Sequence, residues 1–136
     1  MEKLLELMVL DTPDDLGVVY PSPVVLDAVR EVENTIRESD IEGIFGEQSP
    51  PDYDHGAGIP SDYSVIDISR ISHLVKHMWV ENKTLMCKIK LMKEFVEMEK
   101  NDYPIAGLVR ATGILDENNV CTSFSIITVD LVISEA

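Results

Sequence analysis

One amphipathic segment, Ser22 to Ser39, limits what this chain can fold into more than any other feature. Val25, Ala28, Val29, Val32 and Ile36 recur at helical spacing, while Asp27, Arg30, Glu31, Glu33, Asn34 and Arg37 fill the opposite side. That pattern is an α-helix with a single apolar stripe. Ser22 suits the N-cap, and Pro23 suits the first helical position, where its missing N–H is no loss. A helix of this kind has to bury its stripe on something else, and a sheet is the partner the rest of the chain offers.

The flanking segments supply that sheet. Leu4 to Leu10 reads as a first strand, and Asp11 to Pro21 as a loop broken by Pro13, Gly17 and Pro21. Ile41 to Glu47 is a short strand. Gln48 to Asp62, with three prolines and three acids, is the longest loop, and ordered loops of this length are often functional or partner-binding. Tyr63 to Val80 is β-branched and partly alternating. After a turn at Asn82-Lys83, the residues Leu85, Cys87, Ile89 and Leu91 alternate with Met86, Lys88 and Lys90, which makes a hairpin. Met92 to Asn101 reads as a short amphipathic helix with Phe95, Val96 and Met98 inward, ended by Tyr103-Pro104. Gly107 to Leu115, a turn at Asp116 to Asn119, and Val120 to Ile133 form the last hairpin. The expectation is one α+β domain over residues 1–136, a small curled antiparallel sheet or barrel with two flanking helices.

Charge restricts the partners. Twenty-five acids against eleven bases leave a net charge of −14, which excludes binding to nucleic acid by counterion release. The densest basic stretch, Lys83 to Lys93, reads as a solvated strand face. Its apolar runs are too short to span a bilayer, and the acidic start Met-Glu-Lys-Leu-Leu-Glu is unlike a signal peptide, so a soluble chain made in a cytoplasm is expected. Cys87 and Cys121 lie far apart in predicted strands and read as buried small hydrophobes. Trp79 reads as hairpin packing.

Spacing alone reveals no reaction. The chain has no glycine-rich phosphate loop, no paired-cysteine motif and no HExxH, and no cofactor is expected. His73 and His77 are four apart, which on a regular strand puts them on one face, but no third ligand has suitable spacing for a metal. His55 sits in the acidic loop as Asp54-His55-Gly56, a position open to a catalytic base and equally to an ordinary solvated histidine. The serines at 61, 64, 69, 72, 123 and 125 lack a Gly-x-Ser-x-Gly setting, although a triad is recognised by geometry and not by such counts.

The order of several weak motifs is more informative. Tyr20-Pro21 precedes Val24-Val25-Leu26-Asp27-Ala28-Val29, and Gly46-Glu47-Gln48-Ser49-Pro50-Pro51 follows. Next come Ile66-Asp67-Ile68-Ser69-Arg70-Ile71-Ser72-His73-Leu74-Val75, Met78-Trp79 and Thr84-Leu85-Met86-Cys87-Lys88-Ile89. The last is Phe124-Ser125-Ile126-Ile127-Thr128-Val129-Asp130-Leu131-Val132. From about residue 15 to 134 this order resembles the prohead (maturation) core serine proteases of tailed myoviruses, in which a Tyr-Pro pair precedes the first helix and a Gly-Glu-x-x-His-Pro motif follows it.

The resemblance implies a small barrel flanked by helices, as in herpesvirus assemblins, and a family activity of cleaving scaffold and capsid proteins with a serine nucleophile and the motif histidine. This sequence departs at both places. Pro50 stands at the histidine position, and the segment aligned with the family's Ser-Ser-x-Gly nucleophile reads Gly107-Leu108-Val109-Arg110-Ala111-Thr112-Gly113, without serine. The stretch from Leu91 to Gly107 is also shorter than the family's helical segment before the nucleophile. Losing triad members costs on the order of 10⁴–10⁶ in rate, so the chain reads as a truncated, catalytically degenerate member. His55 and Thr112 are the candidates for a rebuilt pair, and misplacement by an ångström would cost about 10²-fold. The expected function is a non-catalytic virion structural protein, a minor capsid, cement or decoration component bound to the major capsid protein or scaffold, and possibly to itself. A regulator of the protease or scaffold, and an active head-maturation protease, are the alternatives. Asp52, Tyr53, Asp54, His55, Arg110 and both termini are the candidate partner contacts, and Val120 to Ile133 is a candidate for strand addition to a neighbour.

Overall fold

The computed structural model describes residues 1–49, 66, 68–93, 95–96 and 105–133. The amphipathic segment forms α1 (Ser22–Glu38), and the residues it buries are Val25, Ala28, Val29, Val32 and Ile36, the stripe read from the sequence. The cap differs from expectation. Pro21 occupies the N-cap and has no side-chain oxygen to offer, so Ser22 enters the first turn. Asp11, from the preceding loop, takes over: its carboxylate accepts the Ser22 N–H at 2.8 Å and the Ser22 Oγ–H at 2.5 Å. These two bonds hold the Asp11 carboxyl below its ordinary pKa.

Six strands follow in chain order: β1 (Glu2–Val9), β2 (Ile44–Ser49), β3 (Ile71–Glu81), β4 (Thr84–Leu91), β5 (Ile105–Leu115) and β6 (Cys121–Ile133), with a 3-10 turn at Ile68–Arg70 before β3. They form one sheet in the order β1-β4-β3-β2-β6-β5. The sheet is mixed, which corrects the expected antiparallel one. β2 and β6 run parallel, with Gln48 opposite Leu131 and Ser49 opposite Val132. The β5–β6 hairpin docks with β6 inward against β2, so β6 is an interior strand and β5 the edge. β2 covers β6 only at Leu131 and Val132, and β5 forms the end of the sheet order.

The sheet curls into a half-barrel whose two edges meet. A Cβ on Gly107 of β5 would lie 2.5 Å from Leu7 Cδ2 and 3.1 Å from Leu5 Cδ1 of β1, so only glycine permits that approach. The core gathers Leu5, Val25, Val29, Val75, Leu85, Ile89, Val129 and Leu131 between the helix and the sheet. Cys87 and Cys121 are buried free thiols. The β3–β4 turn falls on Asn82 and Lys83, both at positive φ (49° and 64°), the backbone twist that joins tightly turned antiparallel strands.

Of the two helices expected, the described residues show one complete helix. Lys93, Phe95 and Val96 are helical, and the Phe95 and Val96 N–H groups donate to the Met92 carbonyl at 3.0 and 3.2 Å. The rest of the predicted Met92 to Asn101 helix lies outside the described residues. A β-bulge at Lys76 corrects the histidine reading. Val75 pairs with Ile89 but His77 with Lys88, so the extra residue flips the parity of the strand. His73 points into the core and is fully buried, whereas the His77 side chain is 60% exposed and lies 3.7 Å from Glu33.

Candidate functional site

Polar side chains converge where β2 leaves β3 and joins β6. Arg110 of β5 donates from Nε to Asp130 Oδ2 and from Nη2 to Asp130 Oδ1, each at 3.0 Å, and from Nη2 to Glu47 Oε2 at 2.8 Å. All three residues are buried, at 5–6% exposure. A planar guanidinium matches a carboxylate with two parallel bonds, which suits Arg where Lys would serve poorly. The cluster carries two carboxylates on one cation. Burial pushes the Asp130 carboxyl up, and the bonds from Arg110 oppose it without cancelling it. Arg110 itself is raised: desolvation pulls it down, and the bonds to Asp130 and Glu47 outweigh that pull. Thr128 of β6 adds a bond from Oγ1 to the Phe45 carbonyl at 2.8 Å, and Arg70 Nη2 reaches the Gln48 carbonyl at 2.7 Å. Among the described residues no buried side-chain nitrogen or oxygen lacks a partner. The cluster clamps β2, β6 and β5 together.

Beside it lies a Ser–His pair. Ser72 Oγ is 2.6 Å from His73 Nδ1, and His73 Nε2 is 2.6 Å from the Val129 carbonyl. A carbonyl only accepts, so Nε2 carries the hydrogen and Nδ1 accepts the Ser72 hydroxyl. A serine donating to an imidazole is the polarity a nucleophile needs. Here, however, both side chains are at 0% exposure and the second ring nitrogen is tied to backbone. Burial pulls the His73 pKa down to about 4, with the bond to Val129 opposing, so the ring is neutral at physiological pH. The imidazole lies where a side chain on residue 46 would be: a Cβ on Gly46 would sit 2.1 Å from His73 Nε2 and 2.3 Å from the Val129 carbonyl oxygen. Both residues of the Gly46-Glu47 pair are thus fixed by packing, one under His73 and the other by Arg110.

Of the candidates for a rebuilt pair, only Thr112 falls among the described residues. Pro50, Asp52, Tyr53, Asp54 and His55 lie outside the described residues. Thr112 is exposed on β5, opposite Ser125, and lines a cleft between β5 and β1. The end of β2 is level with Gly107, because Gln48 pairs with Leu131 and Leu131 with Gly107. Five residues of strand, about 17 Å, therefore separate that level from Thr112. Arg110, a candidate partner contact, is buried and enclosed with two carboxylates. The sequence reading missed Glu47, Ser72, His73 and Asp130 as a cluster. The available signal was Asp130 itself, a lone acid inside the apolar run Ile126 to Val132, where a charge persists only with a partner. Among the described residues no group of three histidine, cysteine or acidic side chains could hold a metal, and no helix is long and apolar enough to cross a membrane.

No protein-family model and no curated protein sequence matches the chain. Among solved structures it is similar to the capsid assembly protease gp21 of bacteriophage T4, with a TM-score of 0.74 at 14% identity, covering 96% of this chain and 80% of that one. The likeness to prohead proteases read from motif order is thus a likeness of fold, carried over nearly the whole chain.

Proposed function

We propose that this chain is a capsid-assembly-protease-like shell that binds where its relatives in fold cut. It is a structural component of a phage capsid, of the minor, cement or decoration kind, seated on the major capsid protein. One observation carries the reading. β5, the strand aligned with the family's nucleophile segment, contains no serine from Ile105 to Leu115, and its inward polar side chain, Arg110, is held by Glu47 and Asp130. The Ser72–His73 pair offers no replacement, because a substrate carbonyl cannot reach a side chain with no exposed surface. A domain can keep core-forming positions and lose its chemistry, since the two rest on different residues. The likeness to a capsid assembly protease makes capsid and scaffold surfaces the natural partners.

The test is to count the protein by quantitative mass spectrometry in purified mature particles of the phage that encodes it. An intact chain at a fixed, simple ratio to the major capsid protein is the expected result. Absence, or recovery only as fragments from immature heads, would overturn the structural role. A serine-reactive fluorophosphonate should leave the purified protein unlabelled, and stoichiometric labelling would overturn the loss of catalysis.

A further inference from the structure

The half-barrel leaves a seam between β1 and β5, the two ends of the sheet order, which no ladder of hydrogen bonds joins among the described residues. It is pinched at Gly107, where Leu5 and Leu7 press in, and opens along β5 toward Leu115. There it widens into a cleft of about 340 Å³ lined by Leu7, Met8, Tyr20, Leu108, Leu115 and Phe124, among others. Leu108 and Leu115 remain 40% and 46% exposed. Among the described residues no strand pairs with the outer edge of β5, so backbone donors and acceptors and an apolar pocket lie side by side there.

Its open end is rimmed by acids. Asp14 lines the cleft, and among the described residues no lysine or arginine does. The 14–18 turn and the 116–120 turn are fastened next to each other, because the Val19 N–H donates to the Asn119 carbonyl and the Cys121 N–H to the Val19 carbonyl. Asp14 and Asp15 belong to the first of these turns and Asp116 and Glu117 to the second, and all four are exposed. Asp14 and Asp116 also shape their turns, each accepting two backbone N–H groups on Oδ1, while Asp15 and Glu117 are exposed in the same turns.

We propose that this seam is a docking groove for an extended peptide in which apolar residues alternate with lysine or arginine. The peptide adds as a strand to the edge of β5, places an apolar side chain in the cleft, and sets its cations against the acidic rim. Charge selects this occupant over a second copy of the chain, which would bring the same acids against themselves with a net charge of −14 on each. The β5 lining of the groove runs from Leu108 to Leu115 and overlaps the segment aligned with the family's nucleophile, which carries no serine here. The inference stands on the seam alone and holds whether or not the chain is carried in a particle. Failure here leaves the particle count untouched, and the reverse is also true.

The probe is a fluorescein-labelled Lys-Leu-Lys-Val-Lys-Leu-Lys peptide, followed by fluorescence anisotropy at low and moderate salt. Controls are the same peptide with glutamate for each lysine and one with serine for each apolar residue. Saturable binding of the first at micromolar protein, with neither control bound, is expected. Backbone hydrogen exchange should show new protection at amides of residues 108–115. The double variant Asp15→Lys, Glu117→Lys leaves both turns' hydrogen bonds intact and should weaken binding about tenfold. Equal binding of the serine control would reduce the effect to net charge and overturn the groove. Protection elsewhere, no binding, or a dimer in sedimentation that buries β5 and excludes the peptide would each overturn it as well.

Discussion

Replacing Gly46 with alanine tests the central packing relation of the fold. The new methyl would be placed 2.1 Å from His73 Nε2 and 2.3 Å from the Val129 carbonyl oxygen. Neither can retreat easily, since His73 and Val129 are both at 0% exposure and the imidazole is held at both nitrogens. Two costs follow. Forcing atoms into a filled interior costs about 1–3 kcal/mol, and breaking the His73–Val129 bond leaves buried groups unpaired for roughly another 1–3 kcal/mol. Gly46→Ala should therefore lose about 4 kcal/mol, or roughly 10–15 °C in Tm for a domain of this size. Urea unfolding followed by circular dichroism measures it. Adding His73→Ala removes the imidazole half of the clash but not the carbonyl half. The double variant should thus be more stable than the sum of the single losses predicts, by at least about 1 kcal/mol. A Gly46→Ala protein within about 1 kcal/mol of the parent, or strictly additive losses, would refute the packing described here.

Other expectations follow from the same region. Because folding lowers the His73 pKa to about 4 from 6.5, the unfolded chain binds more protons between these values. Its contribution is full above 6.5 and is lost as pH falls toward 4, roughly 3 kcal/mol in all. Unfolding free energies for the parent and His73→Gln across pH 4–7 should diverge in slope accordingly, and parallel curves would refute a neutral buried His73. Arg110→Met strands Glu47 and Asp130 without their cation and should cost about 3–5 kcal/mol at pH 7. The deficit should shrink as pH falls toward 4, because burial already pushes the Asp130 carboxyl up and favours its neutral form, which urea titrations at the two pH values would show. Burial pushes the Cys87 thiol up to about 12, and Cys121 is 1% exposed, so the native protein should react slowly with Ellman's reagent and the unfolded one at two thiols.

What could be read in advance depended on whether a feature is local. α1 was legible because one period in one segment fixes both its existence and its buried face. β4 was legible for the same reason, its strict alternation of Leu85, Cys87, Ile89 and Leu91 being bounded by a two-residue turn. The bulge at Lys76 was not, since a periodicity argument assumes an unbroken repeat of two and one inserted residue reverses every face after it. The parallel contact of β2 with β6 is a choice between distant segments, and neither strand's own pattern records its neighbour. The N-cap failed on a similar point. Ser22 has the right chemistry, but the chain brings Asp11 to the helix end from eleven residues away.

The segment that resembles the Gly-Glu-x-x-His-Pro motif straddles the end of β2. Gly46 and Glu47 lie within the strand and answer to the core, the first to His73 and the second to Arg110. Residue 50 comes after the last residue of β2, Ser49, and holds proline in place of the family's histidine. The segment aligned with the nucleophile is similarly constrained: Gly107 is pressed against Leu7, and Arg110 is bound to two carboxylates. A serine placed at either position would meet a steric clash or strand buried charge, costs set by the sheet and independent of any substrate. On the function proposed above, a Pro50→His substitution should therefore not by itself produce proteolysis. The packing that holds Gly107 and Arg110 in this fold thus occupies two of the positions aligned with the family's nucleophile segment.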